Sequence, residues 1–265
     1  VTFAGGMAVE GFTPVVAIYS TFLQRAFDQV IHDIALQNLP VRFVLDRGGL
    51  VGEDGPTHHG TFDLSYLGMI PNFVIMSPKD EAELRHMIQT MVAYDKGPIA
   101  VRFPRGHGLG VPLTEEPRIL PIGKGEVLVE GKDVVFFAVG SMVAISLEAA
   151  ELLRSKGIRA TVVNSRFVKP LDTKLLEELL HNEPVLITAE ENSLHGGFGA
   201  AVNQYLINQG YDTTRIYNAG IPDQFIQHAT TKELQEEIGL SAGAFAETAI
   251  GMVRARKQLF KPLAG

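Results

Sequence analysis

Short apolar runs rich in β-branched residues alternate along the chain with longer stretches whose apolar positions recur every three or four residues. Alternation of this kind predicts strands and helices in turn. Val15, Val16, Ala17 and Ile18 form the first buried strand, and residues 41–45, 72–76 and 99–103 read the same way. Between them, Phe22, Ala26, Phe27, Val30, Ile31, Ile34 and Ala35 share one face of a helix capped by Ser20 or Thr21. Leu84, Met87, Ile88 and Met91 do the same on a helix opened by Asp80. Small and apolar residues over Thr2–Val9 suit a closely packed helix that ends at Gly11, with Pro14 beyond it as a stop. The pattern then repeats, with strands at 134–139, 160–164, 185–189 and 215–218 and helices at 143–155, 174–180, 200–208, 232–237 and 245–257. The fold class is therefore α/β twice over, as two three-layer domains with mainly parallel sheets. Pro112, Pro117 and Pro121, with two glycines and mixed charge, mark residues 111–125 as a linker, so the expected division is 1–118 and 119–265.

Composition narrows the classes of function. The 265 residues are 46% hydrophobic and 20% charged, which describes a globular chain with a sizeable core. A net charge of −7 without any Lys/Arg run argues against a nucleic-acid surface. Any anionic substrate must be held by a few local arginines. The absence of cysteine excludes disulfides, thiolate metal sites and cysteine nucleophiles. No apolar run approaches the roughly 18 residues of a membrane span, and no secretory signal pattern is present. The chain begins at Val1, without methionine and inside a helical pattern, so a piece of a longer protein is expected.

Candidate chemistry collects after the strand at 41–45. Residues 46–60 hold five glycines, an arginine, three acids and the pair His58 and His59. In an open parallel sheet this position, at the strand's carboxyl end, is where ligands bind. Arg47 of this loop, with Tyr19 and Arg105 after other strand ends, is expected to converge there as a donor set for a phosphate or carboxylate, unless the two arginines are ion-paired with Asp46 or Asp54. Of the two histidines, one is expected to face the site and the other solvent. Neither has a partner at metal-ligand spacing, so no metal site is assigned. Phe22 stands in the first helical turn at the same edge and either joins the core or presents its ring to a ligand. In the second half, Glu190 and Glu191 precede the glycines at 196, 197 and 199, and a tight structural turn is preferred there over an anion site.

Several strings are long enough to be specific. They include Val15-Val16-Ala17-Ile18-Tyr19-Ser20-Thr21-Phe22-Leu23-Gln24-Arg25-Ala26-Phe27, Asp46-Arg47-Gly48-Gly49-Leu50-Val51-Gly52, Asp54-Gly55-Pro56-Thr57-His58-His59-Gly60, Val101-Arg102-Phe103-Pro104-Arg105-Gly106 and Arg166-Phe167-Val168-Lys169-Pro170-Leu171-Asp172. The chain closely resembles the 1-deoxy-D-xylulose 5-phosphate synthase family, thiamine-diphosphate enzymes of the transketolase group. The resemblance implies a pyrimidine-binding domain followed by a transketolase C-terminal domain. It implies the joining of pyruvate to D-glyceraldehyde 3-phosphate with loss of carbon dioxide, for isoprenoid, thiamine and pyridoxal synthesis. It further implies a homodimer, in bacterial cytoplasm or a plastid.

Carried over by position, the resemblance puts Phe22 against the cofactor's pyrimidine with Arg25 beside it. Tyr19, Arg47 and Arg105 would hold the acceptor phosphate, Asp54 an acceptor hydroxyl, and His58 the donor carboxylate or the adduct. The family's Gly-Asp-Gly motif for the diphosphate and Mg2+, and its activating glutamate, have no counterpart here, so the chain is expected to be inactive alone. The alternatives are a transketolase, a 2-oxo-acid dehydrogenase β subunit, and a non-catalytic dimerisation module of the same fold. The joint presence of Tyr19, Phe22, Arg47, Asp54, His58 and Arg105 speaks against the last of these.

Overall fold

A computed structural model describes residues 1–113 and 116–259. The first half runs α1 (Thr2–Val9), β1 (Val15–Tyr19), α2 (Ser20–Leu23), α3 (Phe27–Gln29), β2 (Arg42–Asp46), α4 (Asp63–Gly68), β3 (Val74–Met76), α5 (Glu81–Ala93) and β4 (Ile99–Arg102). The second runs β5 (Glu126–Val129), β6 (Val134–Ala138), α6 (Met142–Arg154), β7 (Ala160–Asn164), β8 (Phe167–Lys169), α7 (Thr173–Leu180), β9 (Val185–Ser193), α8 (Phe198–Asn208), β10 (Ile216–Ile221), α9 (Thr231–Glu237) and α10 (Ala242–Leu259). Two five-stranded sheets result, in the orders β1-β2-β4-β3-β8 and β10-β9-β6-β7-β5. Pairing is parallel except for β8 on β3 and β5 on β7. The two antiparallel edge strands and α4 were not foreseen in the sequence. The described part of the expected linker carries no regular element before β5, and its residues 114 and 115 lie outside the described residues.

Residues 20–35 depart from the single capped helix that their periodicity suggests. The segment passes from α2 through a 3-10 turn (Gln24–Ala26) and α3 into a π-helical stretch (Val30–Ala35). All of these windings keep Leu23, Val30 and Ile34 on the core side, so apolar spacing alone does not separate them. Neither expected cap forms: Tyr19 holds the N-cap position, Ser20 Oγ is buried without a partner, and the Thr21 hydroxyl donates to the Thr57 carbonyl at 3.3 Å. Phe27 is half-buried against the core, as expected. Asp80 caps α5 as expected, accepting from the Glu83 N–H.

The halves share a core. Leu23, Phe43 and Ile75 from the first sheet's side pack in one cluster with Phe137, Val163 and Phe198 from the second. In-register pairing brings the ends of β1 and β2 together at Tyr19 and Asp46, while Leu45 of β2 lies beside Arg102 of β4. This common edge is where the site is built.

Candidate functional site

The loop after β2 is folded against itself and against the second half. Gly49 and Gly60 exchange backbone hydrogen bonds at 2.7 and 2.8 Å. The glycine pair at 48 and 49 is required by close approach: a Cβ on Gly48 would stand 2.3 Å from Arg102 Nε, and one on Gly49 2.5 Å from Glu191 Oε2. Gly49 also has φ of +83°, a left-handed conformation that glycine adopts without steric cost.

All seven expected site residues form one connected set. The Tyr19 and Phe22 rings stack with centroids 5.2 Å apart, and His58 meets Phe22 edge-on at 5.6 Å. Arg25 lies 5.7 Å from the centre of the Phe22 ring, and Arg47 lies 4.2 Å over Tyr19. Arg47 Nη1 stands 2.5 Å from Asp54 Oδ2, and Arg105 Nη1 stands 3.6 Å from the same oxygen while donating to the Val51 carbonyl at 2.7 Å. The ion-pair reading of the arginines is the one seen, with Asp54 and not Asp46 as the partner: Asp54 is their shared counter-charge, and it gathers both guanidinium groups at one point. Beside them opens a cavity of about 490 Å³, lined by Arg47, Lys79, Phe103, Arg105, His107 and Ser141 among others.

The histidines divide differently from expectation. His58 is half-buried at the site, with Nδ1 2.9 Å from Thr57 Oγ1. His59 does not face solvent: it is buried, its Nδ1 accepts from the Val51 N–H at 3.1 Å, and its Nε2 lies 3.1 Å from the Gln227 carbonyl. That pairing requires the proton on Nε2, and burial pushes the pKa of His59 below the ordinary value. It bolts the loop to the second half.

Charged residues that periodicity cannot rank lie beneath the loop. Arg102, 2% exposed, donates Nε to Asp63 at 3.1 Å and Nη2 to the Gly60 and Glu191 carbonyls at 3.2 and 2.6 Å. Glu190 accepts from the Phe198 and Gly199 N–H groups at 2.8 Å each, so the start of α8 is satisfied by its own chain and the tight-turn reading of that stretch holds. Burial pushes the Glu190 carboxyl up to about 7 against the pull of those donors. An arginine ending an otherwise apolar strand, and two adjacent acids in one, were the available signals.

The aminopyrimidine end of a thiamine cofactor fits these residues. The Phe22 ring is 37% exposed, held by Tyr19 and His58, and flanked by a cation, which makes a platform for a flat heteroaromatic ring. No group of three or more metal-ligating side chains occurs among the described residues.

Comparison with known proteins agrees with this geometry. Residues 1–108 match the family model described as transketolase, pyrimidine binding domain, and residues 123–244 match transketolase, C-terminal domain. A 1-deoxy-D-xylulose-5-phosphate synthase of Geobacter sulfurreducens is 56% identical over 93% of this chain, and one of Thermomicrobium roseum is 52% identical over 96%. The matches cover 38% and 40% of those relatives, so the chain spans well under half of their length. A solved structure described as a split gene transketolase, inactive beta4 tetramer, superposes with a TM-score of 0.84 at 32% identity, covering 95% of this chain and 80% of that one. A transketolase mutant from Pichia stipitis shares the fold at 21% identity and a TM-score of 0.71. With both domain models matched and a split transketolase covered over most of its length, the chain belongs to the transketolase family.

Proposed function

We propose that this chain supplies the pyrimidine-facing and acceptor-binding part of a thiamine-diphosphate-dependent 1-deoxy-D-xylulose 5-phosphate synthase. The substrates are pyruvate and D-glyceraldehyde 3-phosphate, and the domain boundary falls near residue 118. The observation that carries this reading is the gathering of Arg47 and Arg105 on Asp54, beside the Tyr19, Phe22 and His58 rings. The similarity to 1-deoxy-D-xylulose-5-phosphate synthases of two bacteria supports it.

When bound, thiamine diphosphate would supply the carbanion chemistry for decarboxylation and carbon–carbon bond formation. Phe22 and Arg25 seat its pyrimidine. Arg47 and Arg105 bind the acceptor phosphate, a dianion that competes with Asp54 for the same guanidinium groups. The phosphate lies away from the reacting aldehyde, so its binding energy orients the acceptor. Asp54, relieved of its arginines, accepts from an acceptor hydroxyl, and Tyr19 donates to the phosphate. His58 meets the pyruvate carboxylate, with Thr57 fixing the ring.

The groups that hold the diphosphate and magnesium, and the glutamate that activates the pyrimidine, come from sequence outside this chain. The exposed Phe3, Val9 and Phe12 on and after α1 support a homodimer. The bacterial relatives support a bacterial cytoplasmic setting over a plastid. A second reading, a separately encoded half that needs a partner chain, draws on the likeness to the split transketolase. Mixing this chain with a first-domain chain would restore turnover under that reading.

The test of the main reading is Arg105→Ala in the intact enzyme. It is expected to raise KM for the aldehyde phosphate far more than KM for pyruvate. Equal effects on both would reject the assignment.

A further inference from the structure

Glu191 has no part in the chemistry above, yet it is a charged side chain only 1% exposed, close to the end of β9. Three separate segments meet its carboxylate: Ser141 Oγ donates at 2.9 Å from the turn before α6 and Gln235 Nε2 donates at 2.9 Å from α9, while the site loop brings Gly49 so close that a Cβ there would stand 2.5 Å from Glu191 Oε2. Its carbonyl accepts from Arg102. Taking a carboxylate out of water is costly unless it is fully hydrogen-bonded. An apolar residue here would instead leave those donors unpaired.

The consequence falls on the loop. The Leu50 side chain packs into the second half's core, and the preceding Gly49 lies against the Glu191 carboxylate. The next residue, Val51, offers its carbonyl to Arg105 Nη1 at 2.7 Å and its N–H to His59 at 3.1 Å. Glu191 therefore meets the loop two residues away from the anchor of an acceptor-binding arginine. His58 is fixed separately, by Thr57 and by the Phe22 ring.

We propose that Glu191 is a positioning residue: by backing the loop at Gly49 it places the Val51 carbonyl, and through it the Arg105 guanidinium, at the spacing from Arg47 that a phosphorylated aldehyde acceptor requires. The proposal rests on the assignment of Arg47 and Arg105 to the acceptor phosphate. A residue that served stability alone would lower the unfolding temperature and leave the Michaelis constants of the folded protein unchanged.

The experiment compares wild type, Glu191→Gln and the milder Gln235→Ala in the intact enzyme. Measured are KM for each substrate, kcat, and amide exchange of residues 49–60. Glu191→Gln sets an amide N–H2 against donors, and it is expected to raise KM for the aldehyde phosphate about ten-fold or more while KM for pyruvate stays within about two-fold. Gln235→Ala removes one donor and is expected to shift the same constant in the same direction by about three-fold. Both should speed amide exchange in the loop and not in β1 or β2. If Glu191→Gln does not fold, Gln235→Ala decides. Wild-type exchange and wild-type KM values in Gln235→Ala would overturn the proposal, as would equal rises for both substrates. A wild-type enzyme that does not turn over these substrates would instead reject the functional reading, and the exchange data would still judge whether the second half holds the loop.

Discussion

Asp54 Oδ2 lies 2.5 Å from Arg47 Nη1, so the arginine assigned to the acceptor phosphate is already paired with a carboxylate of its own loop. Asp54 keeps two guanidinium groups together and also competes with the ligand they are there to bind. Asp54→Asn removes the charge and keeps the shape. Competitive inhibition by inorganic phosphate should tighten by about three- to ten-fold, the scale expected for one nearby charge at a partly exposed site. Weaker phosphate binding in the variant would mean that the arginines lose their alignment without Asp54.

Arg102 is buried with Asp63 and two backbone carbonyls as partners. Arg102→Met leaves the fully buried Asp63 carboxylate without its cation, and loss of one partner of a buried pair costs about 3–5 kcal/mol. Urea unfolding should show that loss. Substitution of Arg102 and Asp63 together by apolar residues should recover part of it.

Glu190 gives a pH signature. Its carboxyl is pushed up to about 7 in the folded chain from an ordinary 4.5. Between those values the folded state binds more protons than the unfolded state, so stability from this group rises as pH falls from 7 towards 4.5. The full effect is on the order of 3 kcal/mol. Unfolding at pH 5 and pH 8 should show wild type gaining on Glu190→Gln at the lower pH. His59 acts in the opposite sense, since its lowered pKa makes protonation of the unfolded chain destabilising below about 6.5.

The Glu81 carboxylate accepts from the backbone N–H groups of Leu109, Gly110 and Val111 at 2.9, 2.6 and 3.0 Å. These follow Arg105 closely, and Leu109 and Glu81 itself share the cavity wall with it. Glu81→Ala should leave the unfolding temperature nearly unchanged, because the segment it holds is itself exposed over residues 104–110, and should speed amide exchange at those three residues. Unchanged exchange would show that the segment is held by other contacts.

What could be read in advance followed from local pattern. Apolar runs located the ends of β1, β2 and β4, and with them Tyr19, Arg47 and Arg105. The crowding of glycine and histidine at 46–60 marked the loop. The rest depended on what lies across space. Arg102 meets Asp63 and Glu191 from 39 and 89 residues away in sequence, and nothing in its neighbours announces either contact. His59 looked like the solvent-facing member of a pair because the Gln227 carbonyl that receives it belongs to the other half. In residues 20–35 the apolar spacing fixed which side faces the core and left the winding open.

β8 lies beyond the linker in sequence, yet it forms the last strand of the first sheet, with Ile75 opposite Lys169 and Met76 opposite Phe167. Lys169 Nζ adds bonds to the Gly68 and Ile70 carbonyls at 3.0 and 2.6 Å. The two halves are therefore not interchangeable cassettes. A chimera joined at the linker would give β3 a foreign neighbour, and a chain cut there would bare an apolar sheet edge ready to pair with another copy. Exchange of acceptor-binding parts between members of this family has to carry residues 167–169 along with the half they complete.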